Sequence, residues 1–574
     1  MQANKHLLLW TSLVTLALLV FAAARENVFK EWRRVQSAAS GPAGPIDVHL
    51  RQVVVPTLAV ADRCVTCHVG MAAGEPVVAG DPTLKRHPDV GHDPNVMGCT
   101  ACHAGQGRAT EKDAAHGDVE FWPTPMIPLR YADAGCGGCH THIAVPNVAK
   151  LAAGERVFER NDCLACHKLD GRGGTLRPLG AGGMEGPDLS FVGARTFRAD
   201  WYDAHLARRT EVRGARAESD GEVRRARAES DGEAHGGAWD DSFGPLSSED
   251  RAALDEFLRS RVGAPKLVQA KATFNSLGCR GCHKLAGVGG DDGPELTLEG
   301  AKDPGRIDFT HVRGEHDLAG WLAEHFRSPA TLVPGSQMPV LSLSEPQIDL
   351  LVRYMLSLRR ANAPEAWWPK DRVRAERLGE REFAVDGATL YGSFCAACHG
   401  PNGEGMCYPG MPAFPAIGNP DFLAVASDEF LTSTITHGRP GRRMGAWGEG
   451  SGGLRASEIA TVVAHLRSLA GVAFEPDARE LRWVSGDAAE GARLYAADCM
   501  QCHGANGEGG EGPALANPAL LANASDTYLF ETIRRGRRGT TMQGFAQPST
   551  VRPSLADPEI ESIVTFLRSW ENQP

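Results

Sequence analysis

Cys395-Ala396-Ala397-Cys398-His399 is one copy of a pattern that this chain repeats seven times. The other copies are CVTCH at 64–68, CTACH at 99–103, CGGCH at 136–140, CLACH at 163–167, CRGCH at 279–283 and CMQCH at 499–503. Cys-x-x-Cys-His is the attachment signature of c-type haem: the two thiols form thioethers to the porphyrin, and the adjacent histidine is placed to ligate iron. A lone Cys-x-x-Cys would equally suit a zinc knuckle or a redox dithiol. Here all seven pairs are followed by His and together use 14 of the 15 cysteines, so the chain is read as carrying seven covalently bound haems. The attaching thiols are Cys64, Cys67, Cys99, Cys102, Cys136, Cys139, Cys163, Cys166, Cys279, Cys282, Cys395, Cys398, Cys499 and Cys502. The proximal iron ligands are His68, His103, His140, His167, His283, His399 and His503.

The length of 574 residues implies several domains, yet only 7% of residues are aromatic. Haem accounts for the deficit, because each porphyrin is a large apolar core element that the sequence need not encode. The net charge of −11 sets nucleic acid aside as a partner. Residues 7–24, LLLWTSLVTLALLVFAAA, carry no charge and reach the short end of what spans a bilayer as a helix. A retained single-pass anchor over 1–24 is favoured over a cleaved signal, since ENVFKEWRRVQSA reads as a continuing amphipathic helix into the 25–62 segment. Arg25, Lys30, Arg33 and Arg34 follow the span and only Lys5 precedes it, a balance that argues against an outside C-terminus. Covalent haem is attached outside the cytoplasm, so the expected location is the inner membrane with the haem domains in the periplasm.

Motif spacing divides the rest of the chain. The first three motifs begin at Cys64, Cys99 and Cys136, too close for one independently folded domain each. Residues 63–150 are therefore expected to form one loop-rich trihaem unit. Spare histidines supply its sixth ligands, and His87, His92 and His116 are the favoured distal set, without assignment to particular haems. His142 follows His140 too closely to face it across one haem.

The other four motifs open modules at 151–262, 263–360, 385–470 and 487–574, with linkers at 361–384 and 471–486. A helix bearing Gly or an aromatic precedes each motif: Gly154/Phe158, Phe274, Gly387/Tyr391 and Gly491/Tyr495. Each module closes on similar text, LSSEDRAALDEFLRS, LSEPQIDLLVRYMLSL, RASEIATVVAHLRSL and LADPEIESIVTFLRSW, with apolar residues at helical spacing. Phe257, Tyr354, His465 and Phe566 hold one equivalent slot, expected to pack on the leading aromatic where the two helices cross. The fold class is thus mainly α, with tandem small all-α domains after the trihaem segment.

Residues 151–572 resemble the class I cytochrome c family, in which the sixth iron ligand is a methionine between the motif and the last helix. That resemblance implies Met338 in PGSQMP, Met444 in GRPGRRMGAW and Met542 in GRRGTTMQGF. A thioether ligand raises the reduction potential relative to a second imidazole. The 151–262 module departs from the pattern. It has no methionine in that slot and holds the repeated run ARAESDGE at 215–222 and 226–233. Its sixth ligand is left among His235, Met184 and an open position. The odd cysteine, Cys407, is expected to be a small buried residue, and Trp367 and Trp368 to line an inter-domain contact.

The anchor, DRCVTCH, GCTACHAGQGRAT and a third CxxCH together resemble multihaem subunits associated with bacterial quinol-oxidising cytochrome b complexes. This implies redox protein partners: a membrane quinol-oxidising complex as donor and a terminal acceptor or oxidase. The expected role is an electron carrier running from a lower-potential head to a higher-potential tail. The alternative is a multihaem oxidoreductase with a small-molecule site at the haem of 163–167. A purely structural use of haem is hard to reconcile with seven copies.

Overall fold

A computed structural model describes residues 2–165, 167–174, 186–194, 246–360, 363–550 and 552–571. His235, Met184, Cys166 and the ARAESDGE repeat lie outside the described residues. The chain is mainly helical, with three two-stranded ribbons among the described residues. It forms two compact units: one from residues 1–141, 298–324 and 352–374, the other from 142–297, 325–351 and 375–574.

In the first unit, the helix Gln2–Asn27 is long and apolar enough to cross a membrane, and its apolar window is entirely uncovered by protein. The expected continuous amphipathic extension is interrupted. The chain leaves the helix at Val28–Lys30 and begins a separate helix, Glu31–Ala38. Lys30 is extended there, and its ammonium pairs with Glu26 at 2.6 Å and Glu111 at 3.1 Å. The break turns Trp32 and Gln36 inward, where both are buried. The Gln36 amide donates to the carbonyl of Thr66, inside the first motif, at 2.7 Å, so the helix after the anchor is tied to the first haem segment.

Residues 63–141 hold only short turns, and each of the three motifs forms a single helical turn. Residues 352–374 pack on this segment. Buried Arg353 pairs with Asp133, donates to the Arg130 carbonyl at 2.9 Å and lies over the Tyr131 ring. Trp367 packs against Val53, Val55 and Val65, while Trp368 stacks under Arg372, whose guanidinium also donates to the Gly138 and Cys139 carbonyls.

In the second unit, leading and closing helices cross. Val148–Arg160 packs on Ser248–Arg259, Gly387–Phe394 on Ala456–Ala470, and Ala488–Asp498 on Asp557–Arg568. The glycines explain the closeness. A Cβ on Gly154 would lie 2.2 Å from the Ala253 carbonyl oxygen, and one on Gly491 2.0 Å from that of Ser562. Only glycine lets the two backbones approach so far. The rings meet one turn later: Phe158 with Phe257, Tyr391 with His465 and Tyr495 with Phe566, at 5.5, 5.6 and 5.5 Å. His465 is thereby a packing residue. Each buried aromatic of this kind contributes roughly 1.5–3 kcal/mol by leaving water.

The modules at 385–470 and 487–574 share one continuous apolar core. Their junction is reciprocal. Asn419 donates to the Arg538 carbonyl at 2.8 Å, and Asn517 donates to the Pro440 carbonyl at 3.0 Å. Both asparagines precede Pro in the same slot of their module, and both acceptors sit two residues into a Gly-Arg-x-Gly loop. Two similar sequences have therefore packed around a local pseudo-twofold. Cys407 is exposed, not buried as its size suggested, because the neighbouring Tyr408 takes the inward position and donates to the Ala397 carbonyl at 2.6 Å.

Candidate haem sites

In the motifs at 64–68, 99–103, 163–167, 279–283, 395–399 and 499–503 the His backbone N–H donates to the carbonyl of the first cysteine; in the 395–399 copy the distance is 2.9 Å. Both thiols and the imidazole are thus presented from one helical turn. The described cysteines of the seven motifs are unbridged.

Four of the proximal rings are oriented in the same way. The Nδ1 atoms of His167, His283, His399 and His503 meet the carbonyls of Pro187, Pro294, Pro415 and Pro513 at 2.9, 2.8, 2.8 and 2.8 Å. A carbonyl partner requires that Nδ1 carry the proton, which leaves the lone pair on Nε2 for a metal. Burial pushes the His399 imidazolium down and so keeps that ring neutral, against the opposing pull of the Pro415 carbonyl. Gly293 and Gly512 clear the space: a Cβ on either would lie 2.4 or 2.7 Å from Cε1 of His283 or His503.

These features fit c-type haem, and a second observation points the same way. Arg439 and Arg537 occupy equivalent positions, each in a Gly-Arg-x-Gly loop. Each backbone N–H donates to the carbonyl of the following methionine, Met444 at 2.7 Å and Met542 at 2.6 Å. Each Nη2 donates to a threonine hydroxyl, Thr434 or Thr532. Each guanidinium covers an aromatic ring, and in both the Nη1 atom is buried without an acceptor. A buried cationic donor of this kind calls for a carboxylate, which a haem propionate supplies.

In the first unit the three favoured distal histidines each approach a different proximal one. The rings of His103 and His87 stand 6.1 Å apart between centroids, and those of His140 and His92 stand 6.0 Å apart. His68 is close enough to His116 for the charge of the latter, after burial, to push its imidazolium down. Met444 and Met542 pack beside the shared apolar core. Gln337, next to Met338, accepts from Arg443, next to Met444, at 2.8 Å.

The motifs also touch one another. A Cβ on Gly135 would lie 1.9 Å from the Cys102 carbonyl oxygen. The motifs at 279–283 and 395–399 are likewise in contact, since a Cβ on Gly278 would lie 2.4 Å from the Ala397 backbone nitrogen. The Pro carbonyls, the two arginines and the two asparagines escaped the sequence reading. The Pro signal was present in the text, as GP or FP following each of the last four motifs.

A family model for Cytochrome c matches residues 151–261, 267–359, 384–470 and 488–571. A Cbb3-type cytochrome c oxidase subunit FixP from Bradyrhizobium sp. is 33% identical over 178 residues, covering 29% of this chain and 57% of that protein. A Cbb3-type cytochrome c oxidase subunit CcoP from Azospirillum sp. is 26% identical over 235 residues, covering 38% of this chain and 70% of that protein. The chain thus spans a little over half the length of the FixP relative. Among solved structures, a Kuenenia stuttgartiensis reducing HAO-like protein complex aligns at 20% identity over 32% of this chain and 94% of its own, with a TM-score of 0.22, which carries no structural argument.

Proposed function

The chain belongs to the cytochrome c family, and from that premise we propose that it is a seven-haem relay. Electrons enter from a membrane quinol-oxidising complex and leave to a higher-potential acceptor or oxidase. At the coarser level it is a membrane-anchored multihaem cytochrome c of electron transfer. The haem domains lie in the periplasm, where covalent attachment takes place. Likeness to subunits named for cytochrome c oxidases supports a place beside a membrane redox complex.

Haem iron supplies the one-electron chemistry when bound, and the chain supplies ligands, burial and spacing. His68 with His116, His103 with His87 and His140 with His92 would hold the iron of the first three groups. His283 with Met338, His399 with Met444 and His503 with Met542 would hold the last three. Arg439 and Arg537 would hold the carboxylates of the last two groups. An imidazole pair stabilises ferric iron more than an imidazole–thioether pair does, so the head lies lower in potential than the tail.

The observation that carries the reading is the pairing of proximal and distal rings at 6.0–6.1 Å in a segment with almost no other regular structure. That separation leaves room for one metal between the two rings. Replacing His87 by Met tests it. The variant is expected to keep its covalent haem, gain a thioether charge-transfer band and raise one midpoint potential. An unchanged potential and spectrum would remove His87 from the ligand set.

A further inference from the structure

The motif at 279–283 and the motif at 395–399 lie face to face. Gly278 has a φ of +73°, and a Cβ there would come 2.4 Å from the Ala397 backbone nitrogen. A Cβ on Gly281 would come 3.1 Å from the Phe394 carbonyl oxygen. The two attachment turns thus form one wall.

A charged side chain is sealed into that wall. Arg280, between the two cysteines of its motif, has no exposed surface. Its Nη2 pairs with Glu382 at 2.5 Å, and its Nη1 donates to the carbonyls of Leu285 and Val288 at 3.0 and 3.1 Å. Its guanidinium faces the rings of Phe383 and Phe394. Lys271 approaches the other Glu382 oxygen at 3.6 Å and donates to the Ile143 carbonyl at 2.9 Å. Two cations and one anion leave one net positive charge buried against both motifs. In a low-dielectric interior such a charge acts strongly on any nearby change of charge, and unlike a surface pair it is weakly screened by salt.

We propose that the haems attached at 279–283 and 395–399 form one directly coupled redox pair, whose spacing and potentials are set by the buried Arg280–Glu382–Lys271 cluster. This rests on the haem-binding reading above. In the exchange one iron loses the electron that the other gains, with no bond or proton transferred. The net positive charge opposes the ferric form of both partners, so it raises both potentials together. Arg280 is a positioning residue: its partners are Glu382 and two backbone carbonyls.

The test uses the full-length, haem-loaded protein. Peptide mass spectrometry first reports haem on the 279–283 and 395–399 peptides; its absence there would overturn the haem-binding reading itself. In the oxidised protein, low-temperature paramagnetic resonance is expected to show two spin-coupled centres, with the coupling lost when one of them is reduced. Arg280→Gln should lower two midpoint potentials together, leave the others in place and weaken the coupling, and Arg280→Lys should largely restore both. Glu382→Gln keeps the guanidinium and the side-chain volume, and should raise the same two. It carries the test if Arg280→Gln fails to fold. Both sites loaded but uncoupled, or potentials that respond singly or not at all, would overturn the inference.

Discussion

Lys271 carries its charge where water does not reach. Burial pushes its ammonium down to about 8, against the partial compensation of Glu382. In the unfolded chain the group keeps its ordinary value near 10.5, so between these two pH values the unfolded chain binds more protons than the folded one. Stability from this residue therefore rises with pH across that window, by up to about 3 kcal/mol. Denaturant titrations from about pH 7.5 to about pH 10.5 should show the wild type gaining on Lys271→Met by that amount. A constant difference between the two would contradict it. At this scale the Cys-x-x-Cys-His motifs are legible as candidate attachment sites, because their order in the chain is itself the signature. The arginines were not. Arg280 reads as an exposed charge until Glu382, 102 residues away, is brought beside it, and Arg439 as a surface residue until its Nη1 is found enclosed.

Between elements, the junction of the last two modules rests on Asn419 and Asn517. Each side chain does two things. Its carbonyl oxygen caps its own short helix, Pro420–Val425 or Pro518–Asn523, and its amide donates across the junction. Asn→Ala at either position removes both and should cost about 2 kcal/mol. Asn→Asp keeps the cap but loses the donor, and should cost about half of that in thermal unfolding of the holoprotein. Full stability retained in Asn→Asp would mean that the bond across the junction contributes nothing. The modular grammar itself was readable: glycine and aromatic in the leading helix, apolar spacing in the closing one, and the ring pairs follow from it. The break at Val28–Lys30 was not readable, because the helical pattern runs on through it. Only the burial of Trp32 and Gln36 against the first motif decides that the chain must turn.

In the whole molecule, seven attachment motifs are strung on one chain behind one apolar helix. The head brings three of them together with three further histidines. The second unit brings two face to face and joins the last two modules through a common core. None of these contacts follows from spacing alone, since each depends on segments that meet only after folding, such as residues 352–374 on the trihaem segment. The proposed order of ligand types along the chain, histidine pairs first and methionines last, rests on the sequence, and it is also the functional claim. A spectroelectrochemical titration of the full-length protein, with haem quantified per chain and each step followed by paramagnetic resonance, tests that claim most directly. Seven haems per chain are expected, with three low-spin centres of bis-histidine character titrating below those that carry a thioether band. Fewer than seven, or a bis-histidine group titrating above the thioether-ligated centres, would contradict the account.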